Sequence, residues 1–220
     1  MVKIGLFQKL KKLPKKKLIF ILVPVVLAVL LISYFILREY RSDDDVLVFN
    51  PNEVVTHSVD RPSEKEPEDF EVPADIPKRI YLKDLMKDGY IQMVGIDQYD
   101  QVAVPSNVHM AGWYVNSVRP GQEGLSIMTG HRDGVMTKGI FRYLENSKVG
   151  DTIEIEYGDG SMRYFEVIDI KEVSIEDAYD LMYERVEGID IQLNLITCSG
   201  RYNRRTRTYD NRAIVISKGI

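Results

Sequence analysis

The 220-residue chain is 45% hydrophobic and 10% aromatic, enough for the core of one domain with appendages. Its net charge of −4 is unevenly spread, and residues 76–220 carry 18 basic against 21 acidic side chains. That near balance is ordinary for a folded domain and argues against nucleic acid as a partner.

Residues 1–17 read as a basic cytoplasmic tail, with seven lysines and no acid. From Leu18 to Leu37 twenty residues pass without a charge. As a helix they would extend about 30 Å, the thickness of a bilayer's hydrocarbon layer, so residues 18–37 are expected to be a transmembrane signal anchor. Pro24 lies within the span, which a membrane helix tolerates. The lysines before it and the acids Glu39, Asp43, Asp44 and Asp45 after it put the amino terminus in the cytoplasm and the remainder outside. A cleavable signal peptide is the rival reading, but the apolar stretch is long for one and no Ala-x-Ala-type site follows it. Residues 38–75 hold twelve acids against four bases and are broken by Pro51, Pro62, Pro67 and Pro73. Such a stretch buries little apolar surface and reads as an extracellular stalk.

Beyond residue 75 the dominant period is two. Strands are predicted at Ile91–Ile96, Gln101–Val104, Leu125–Met128, Thr152–Tyr157, Tyr164–Ile170, Ile191–Leu195 and Ala213–Ile216, with Gly158-Asp-Gly160 joining two of them as a hairpin. Helices are predicted around Ile80–Lys87, around Gly139–Asn146, and at Ile175–Tyr183, where Ser174 is available as N-cap and Asp177 lies near the positive helix end. Many short strands and few short helices imply a mainly β domain, a closed barrel of about eight strands over residues 76–220.

Cys198 is the only cysteine. The alternation along Ile191–Cys198 sets Ile191, Leu193 and Leu195 on one face and Gln192, Asn194, Ile196 and Cys198 on the other, so the thiol is expected on the more polar side. It reads either as a nucleophile or as a buried structural thiol, the commoner fate of a free cysteine, and a single exported cysteine can also pair between copies. Of three histidines, His131 stands at the glycine-flanked exit of a strand, where it is expected to be exposed and able to move a proton, although idle surface histidines are common. His57 falls in the stalk, and His109 precedes Ala111-Gly-Trp-Tyr114 and reads as packing. Asp133 is either a steering partner of the imidazole or a turn former. Trp113 and Tyr114 are either groove or core. Five arginines, Arg201, Arg204, Arg205, Arg207 and Arg212, follow Cys198 and read first as a solvated face. No calcium-loop spacing of Asp and Asn occurs, so no metal is expected.

These residues resemble the sortases, cysteine transpeptidases that attach surface proteins to the bacterial cell wall, and among their classes the E and F group. The resemblance runs from about Ile76 to the end through Gly112-Trp-Tyr114, Arg119-Pro-Gly121, Thr129-Gly-His-Arg-Asp-Gly134, Gly139-Ile-Phe141 with Leu144, Val149-Gly-Asp151 and Leu193-Asn-Leu-Ile-Thr-Cys-Ser-Gly200. The Leu-Ile-Thr-Cys element with an upstream Gly-His carries most of its specificity. It implies that Cys198 attacks the threonine carbonyl of an LPxTG-like sorting signal and that His131 protonates the departing glycine amine. An amine then resolves the thioester, either a lipid-linked cell-wall precursor or a pilin, and no cofactor takes part. It implies an arginine on the last strand for the oxyanion and assigns Thr197, just before the cysteine, to holding the site. Arg212 directly precedes the final apolar run and fits that place. The E and F members carry Asp-Asn there, so Arg207 stays open. The alternatives are another extracytoplasmic cysteine enzyme, such as an L,D-transpeptidase with Ser-x-Gly-Cys in place of Ile-Thr-Cys, or a sortase-like binding module without activity.

Overall fold

The computed structural model describes residues 15–41, 50, 52–59 and 61–220. Of the expected segments, residues 1–14 of the basic tail and residues 42–49 of the stalk lie outside the described residues. The chain forms two units, one ending at Phe49 and one running from Asn50 to Ile220. The first contains helix α1, Lys15–Arg41, which includes Pro24 and covers the apolar stretch 18–37. Its side chains are described over residues 22–35, and within the described residues no helix is long and apolar enough to cross a membrane.

The second unit is a closed barrel of eight strands. They are β1 (Pro77–Leu82), β2 (Lys87–Val94), β3 (Ala111–Tyr114), β4 (Gly124–Gly130), β5 (Thr152–Tyr157), β6 (Met162–Ser174), β7 (Ile191–Asn203) and β8 (Thr208–Gly219). A single helix, α2 (Ile175–Tyr183), joins β6 to β7. Around the barrel the order is β1-β2-β3-β4-β7-β8-β6-β5, and β5 pairs back onto β1. Two neighbour pairs are parallel, β2 with β3 and β4 with β7, and the rest are antiparallel. Closure removes free edges and leaves no strand able to slip without disturbing both neighbours.

Alternation along each strand sorts the apolar residues into two layers. The barrel interior takes at least one side chain from every strand, among them Ile80, Ile91, Trp113, Met128, Ile155, Phe165, Leu195 and Val215. A second layer lies under α2, where Ala178 and Met182 meet Ile127, Ile214 and Ile216 from the outer face. Ser174 caps α2 by accepting from the Asp177 amide at 3.2 Å. Trp113 is 5% exposed in the interior and donates its indole N–H to the Val118 carbonyl at 3.1 Å. Tyr114 is buried in the outer layer against Tyr183. Neither ring lines a groove.

The structure corrects several local expectations. The helix expected at 80–87 is strand β1, a 3-10 turn at Lys83–Leu85 and the start of β2. Met86 there has φ 51°, a left-handed turn that no α-helix accommodates. The helix expected at 139–146 shrinks to a 3-10 turn, Leu144–Asn146. Gln101–Val104 supplies only the single bridge of Val102 with Ile96, whereas Ala111–Tyr114 is a full strand. The arginine-rich stretch is a hairpin, in which β7 runs on to Asn203, Arg204, Arg205 and Arg207 stand in the turn, and β8 begins at Thr208.

The stretch expected as a stalk lies, over its described residues from 52 to 75, against the barrel. Val55 bridges to Val94, Ser63 bridges to Asn107, and the Ser58 hydroxyl donates to Asp97 at 2.6 Å. Prolines and acids bar a regular element here, but the segment satisfies backbone groups of β2 and of the 95–110 connection that would otherwise lack partners. The Glu64 carboxylate accepts from the amides of Val135 and Met136, in the loop after His131.

Gly130, the last residue of β4, abuts the buried ring of Phe141, and an added Cβ would come within 2.5 Å of it. Phe165, wholly buried in the barrel, tests the packing of the interior. Phe165→Ala is expected to cost about 3–5 kcal/mol of unfolding free energy by urea denaturation.

Candidate active site

The site is built where β4 ends beside the middle of β7. In the parallel ladder the last pair is Thr129 with Ile196, two residues before Cys198, and β4 ends at Gly130, so His131 follows directly on the strand beside the cysteine strand. The antiparallel ladder pairs Cys198 with Arg212 directly. Opposed residues share a face with their Cβ atoms about 4.5–5.5 Å apart, so thiol and guanidinium are neighbours. Arg212 shares its side of β8 with Ile214 and Ile216, while Val215 turns into the barrel. Its Nη1 donates to the carbonyls of Asn211 at 2.9 Å and Tyr209 at 3.3 Å. Arg207 stands apart, exposed in the turn between β7 and β8 with φ 56°.

The face of β7 that carries Cys198 is polar, as the alternation predicts, but it is covered. Gln192 and Asn194 are buried there and donate to the Glu184 and Met182 carbonyls at the end of α2. On the opposite face the buried Thr197 hydroxyl donates at 2.8 Å to the carbonyl of Gly130, the residue before His131. Thr197 thereby ties the cysteine strand to the root of the histidine loop.

His131 is half-buried rather than exposed, because its ring is drawn against the segment after Ala103. Its Nε2 lies 2.7 Å from the Pro105 carbonyl, which only accepts, so Nε2 carries the proton and Nδ1 of the neutral ring holds a lone pair. Burial lowers the imidazole pKa, partly offset by the Pro105 bond. Burial raises the Cys198 thiol pKa, with Arg212 and then Arg132 pulling it down and Asp133 pushing it up. At rest the thiol and the imidazole are therefore both neutral, and the guanidinium groups favour ionisation of the sulfur.

Asp133 does not touch the imidazole. Its carboxylate accepts from Arg142 and, at 2.6 Å, from the Tyr209 hydroxyl. Arg132 forms an ion pair with Glu145 at 2.7 Å and lies over the Tyr209 ring at 5.6 Å. Sequence reasoning missed Arg132 as a neighbour of the thiol and Tyr209 as a partner of Asp133. The Arg-Asp pair after the histidine was a visible signal for the first, and nothing local marked the second. His109 packs as expected, its Nε2 at 3.0 Å from the Glu64 carbonyl. Among the described residues no three His, Cys, Asp or Glu side chains are grouped to hold a metal ion.

The Sortase domain model matches residues 86–219, from the start of the barrel's second strand to the end of its last. This chain belongs to the sortase family. Sortases are cysteine transpeptidases of the cell surface, and with the family shown the L,D-transpeptidase reading falls away. Among solved structures the chain is similar to a lid mutant of sortase A from Corynebacterium diphtheriae, at 24% identity and TM-score 0.51, over 66% of this chain and 70% of that one. It is also similar to sortase C1 of GBS pilus island 1, at 23% identity and TM-score 0.50, over 68% of this chain and 66% of that one. No curated protein matches the sequence.

The charges around Cys198 give a pH test with a definite sign. A thiol whose pKa is raised ionises only at higher pH, so alkylation of Cys198 by iodoacetamide is expected to have its midpoint above that of a free cysteine. Arg212→Gln removes a charge that lowers the pKa and moves the midpoint further up, whereas Arg207→Gln leaves it in place. Alkylation rates measured against pH check both.

Proposed function

We propose that this sortase is a membrane-anchored transpeptidase that cleaves an LPxTG-like sorting signal between threonine and glycine and transfers the threonine carbonyl to an amine. The observation that carries the reading is the strand register that sets Cys198 opposite Arg212, with His131 one residue past the end of β4, the other neighbour of β7. Cys198 passes its proton to His131, and the thiolate adds to the threonine carbonyl, forming the C–S bond. Arg212 stabilises the oxyanion, and protonated His131 gives its proton to the glycine amine as the C–N bond breaks. Since Nε2 is held by Pro105, Nδ1 is the nitrogen that exchanges the proton. An acceptor amine then gives its proton to the imidazole, attacks the thioester and releases the thiolate. Thr197 holds the cysteine strand to the histidine loop throughout. The acceptor is the amine of a lipid-linked cell-wall precursor or of a pilin.

The anchor is residues 18–37, supported by their uncharged sequence and by helix α1 over the same stretch. The lysines before it orient the amino terminus to the cytoplasm and the catalytic domain outward. Assignment to the E and F group rests on the motifs around His131 and Cys198.

Full-length protein in detergent, incubated with Leu-Pro-x-Thr-Gly-type peptides and a free amine, is expected to give a Cys198 thioacyl adduct and an amide product by mass spectrometry. Cys198→Ala should give neither. Arg212→Ala is expected to lose at least about a hundredfold in acylation rate, the loss typical of an oxyanion donor. Arg207→Ala should acylate at nearly the normal rate, and the reverse pattern would transfer the oxyanion role to Arg207. A folded wild type that forms no adduct with any sorting peptide would leave a binding module.

A further inference from the structure

β4 ends at Gly130, so His131 and the residues after it lack a ladder to hold them. Backbone bonds fasten the loop to its own far side, from Phe141 to the His131 carbonyl at 3.0 Å, from Gly139 to the Arg132 carbonyl at 2.9 Å and from Gly134 to the Thr137 carbonyl at 2.9 Å. None of these reaches the strand of Arg212. The bond that does so is made by Tyr209, near the start of β8, whose hydroxyl donates to Asp133 at 2.6 Å across 76 residues of sequence. The same residue accepts from Arg212 Nη1 through its carbonyl at 3.3 Å. Its ring rests on Tyr202 of β7, with centroids 5.1 Å apart, and carries the Arg132 guanidinium on its other contacts.

We infer that Tyr209 is a positioning residue for the transfer reaction, its hydroxyl setting the His131 loop, through Asp133, against the strand pair that bears Cys198 and Arg212. Tyr209 touches none of the reacting atoms. Its hydroxyl is joined to the loop of the acid, and its backbone carbonyl to the guanidinium beside the nucleophile. Burial and the Asp133 carboxylate push the phenol up to about 12, so it remains a donor across the working range of pH. Asp133 in turn is shared with Arg142, which keeps its charge paired while it holds the phenol.

The inference rests on the thioacyl chemistry proposed above, and the test separates the two. Tyr209→Phe keeps the ring stack and deletes the hydroxyl. It is expected to lower kcat for acylation of full-length enzyme about ten- to hundredfold, the scale of an ångström-sized misplacement, with KM little changed and an unaltered melting temperature. Because the hydroxyl acts through Asp133, adding Tyr209→Phe to Asp133→Ala should cost nothing further. Wild-type kcat in Tyr209→Phe, a rise in KM alone, or losses that multiply in the double variant would each overturn the inference. If the wild type itself forms no adduct, the proposed function fails instead. The inference is then decided by hydrogen exchange, since Tyr209→Phe must speed exchange of the Gly139 and Phe141 amides, and unchanged exchange overturns it.

Discussion

The register between β7 and β8 is the constraint on which the rest of the site depends. A strand has two faces, and a shift of one residue would send Arg212 into the barrel interior among Phe165 and Leu195 while Cys198 stayed outside. What prevents that shift lies elsewhere, in the closure of the sheet. β7 is held by β4 on one side and β8 on the other, and β8 by β6, so the pairing of Cys198 with Arg212 inherits the stiffness of the whole barrel. On its other side β7 pairs with β4, which ends one residue before His131, and Thr197 bonds to the last carbonyl of that strand.

That arrangement sets two opposed electrical demands on one sulfur. The covering of the polar face by the end of α2 and the draw of His131 toward Pro105 remove water, which favours the neutral thiol and the neutral imidazole. Arg212 and Arg132 oppose this for the thiol, and the Asp133 charge, itself bonded to Arg142 and Tyr209, pushes back against them. The two guanidinium groups thus differ in kind. Arg212 sits opposite the thiol on the neighbouring strand, and Arg132 is braced by Glu145 and an aromatic ring.

Much of the fold is visible in the sequence because a strand half-buried against a core must alternate, as β5 does throughout, while β4, β7 and β8, buried on both faces at their centres, show as short apolar runs. β1 is hidden because Ile80, Leu82, Leu85 and Met86 have a spacing that suits a helix, and only the left-handed backbone at Met86 reveals the turn. The outer halves of β7 and β8 are hidden for the opposite reason. They form a two-stranded arm whose residues are mostly polar, so no alternation marks them. Cys198, His131 and Arg212 are legible because each adjoins an apolar run. Tyr209 and Arg132 are not, since the bond of the one to Asp133 and the proximity of the other to the thiol join residues far apart in the chain. The packing of residues 52–75 was equally out of sight, because it rests on backbone groups that any sequence supplies.

The close approach of Gly130 to Phe141 bears on how such a site can change over generations. The glycine before the histidine stands where a phenyl ring has taken the space of a side chain, so its identity is dictated by packing and owes nothing to proton transfer. A larger residue at 130 becomes admissible only where 141 has already shrunk, and the two positions are therefore bound to drift together. The Gly-His pair that marks the family in this sequence is thus half chemistry and half the imprint of a neighbour eleven residues away.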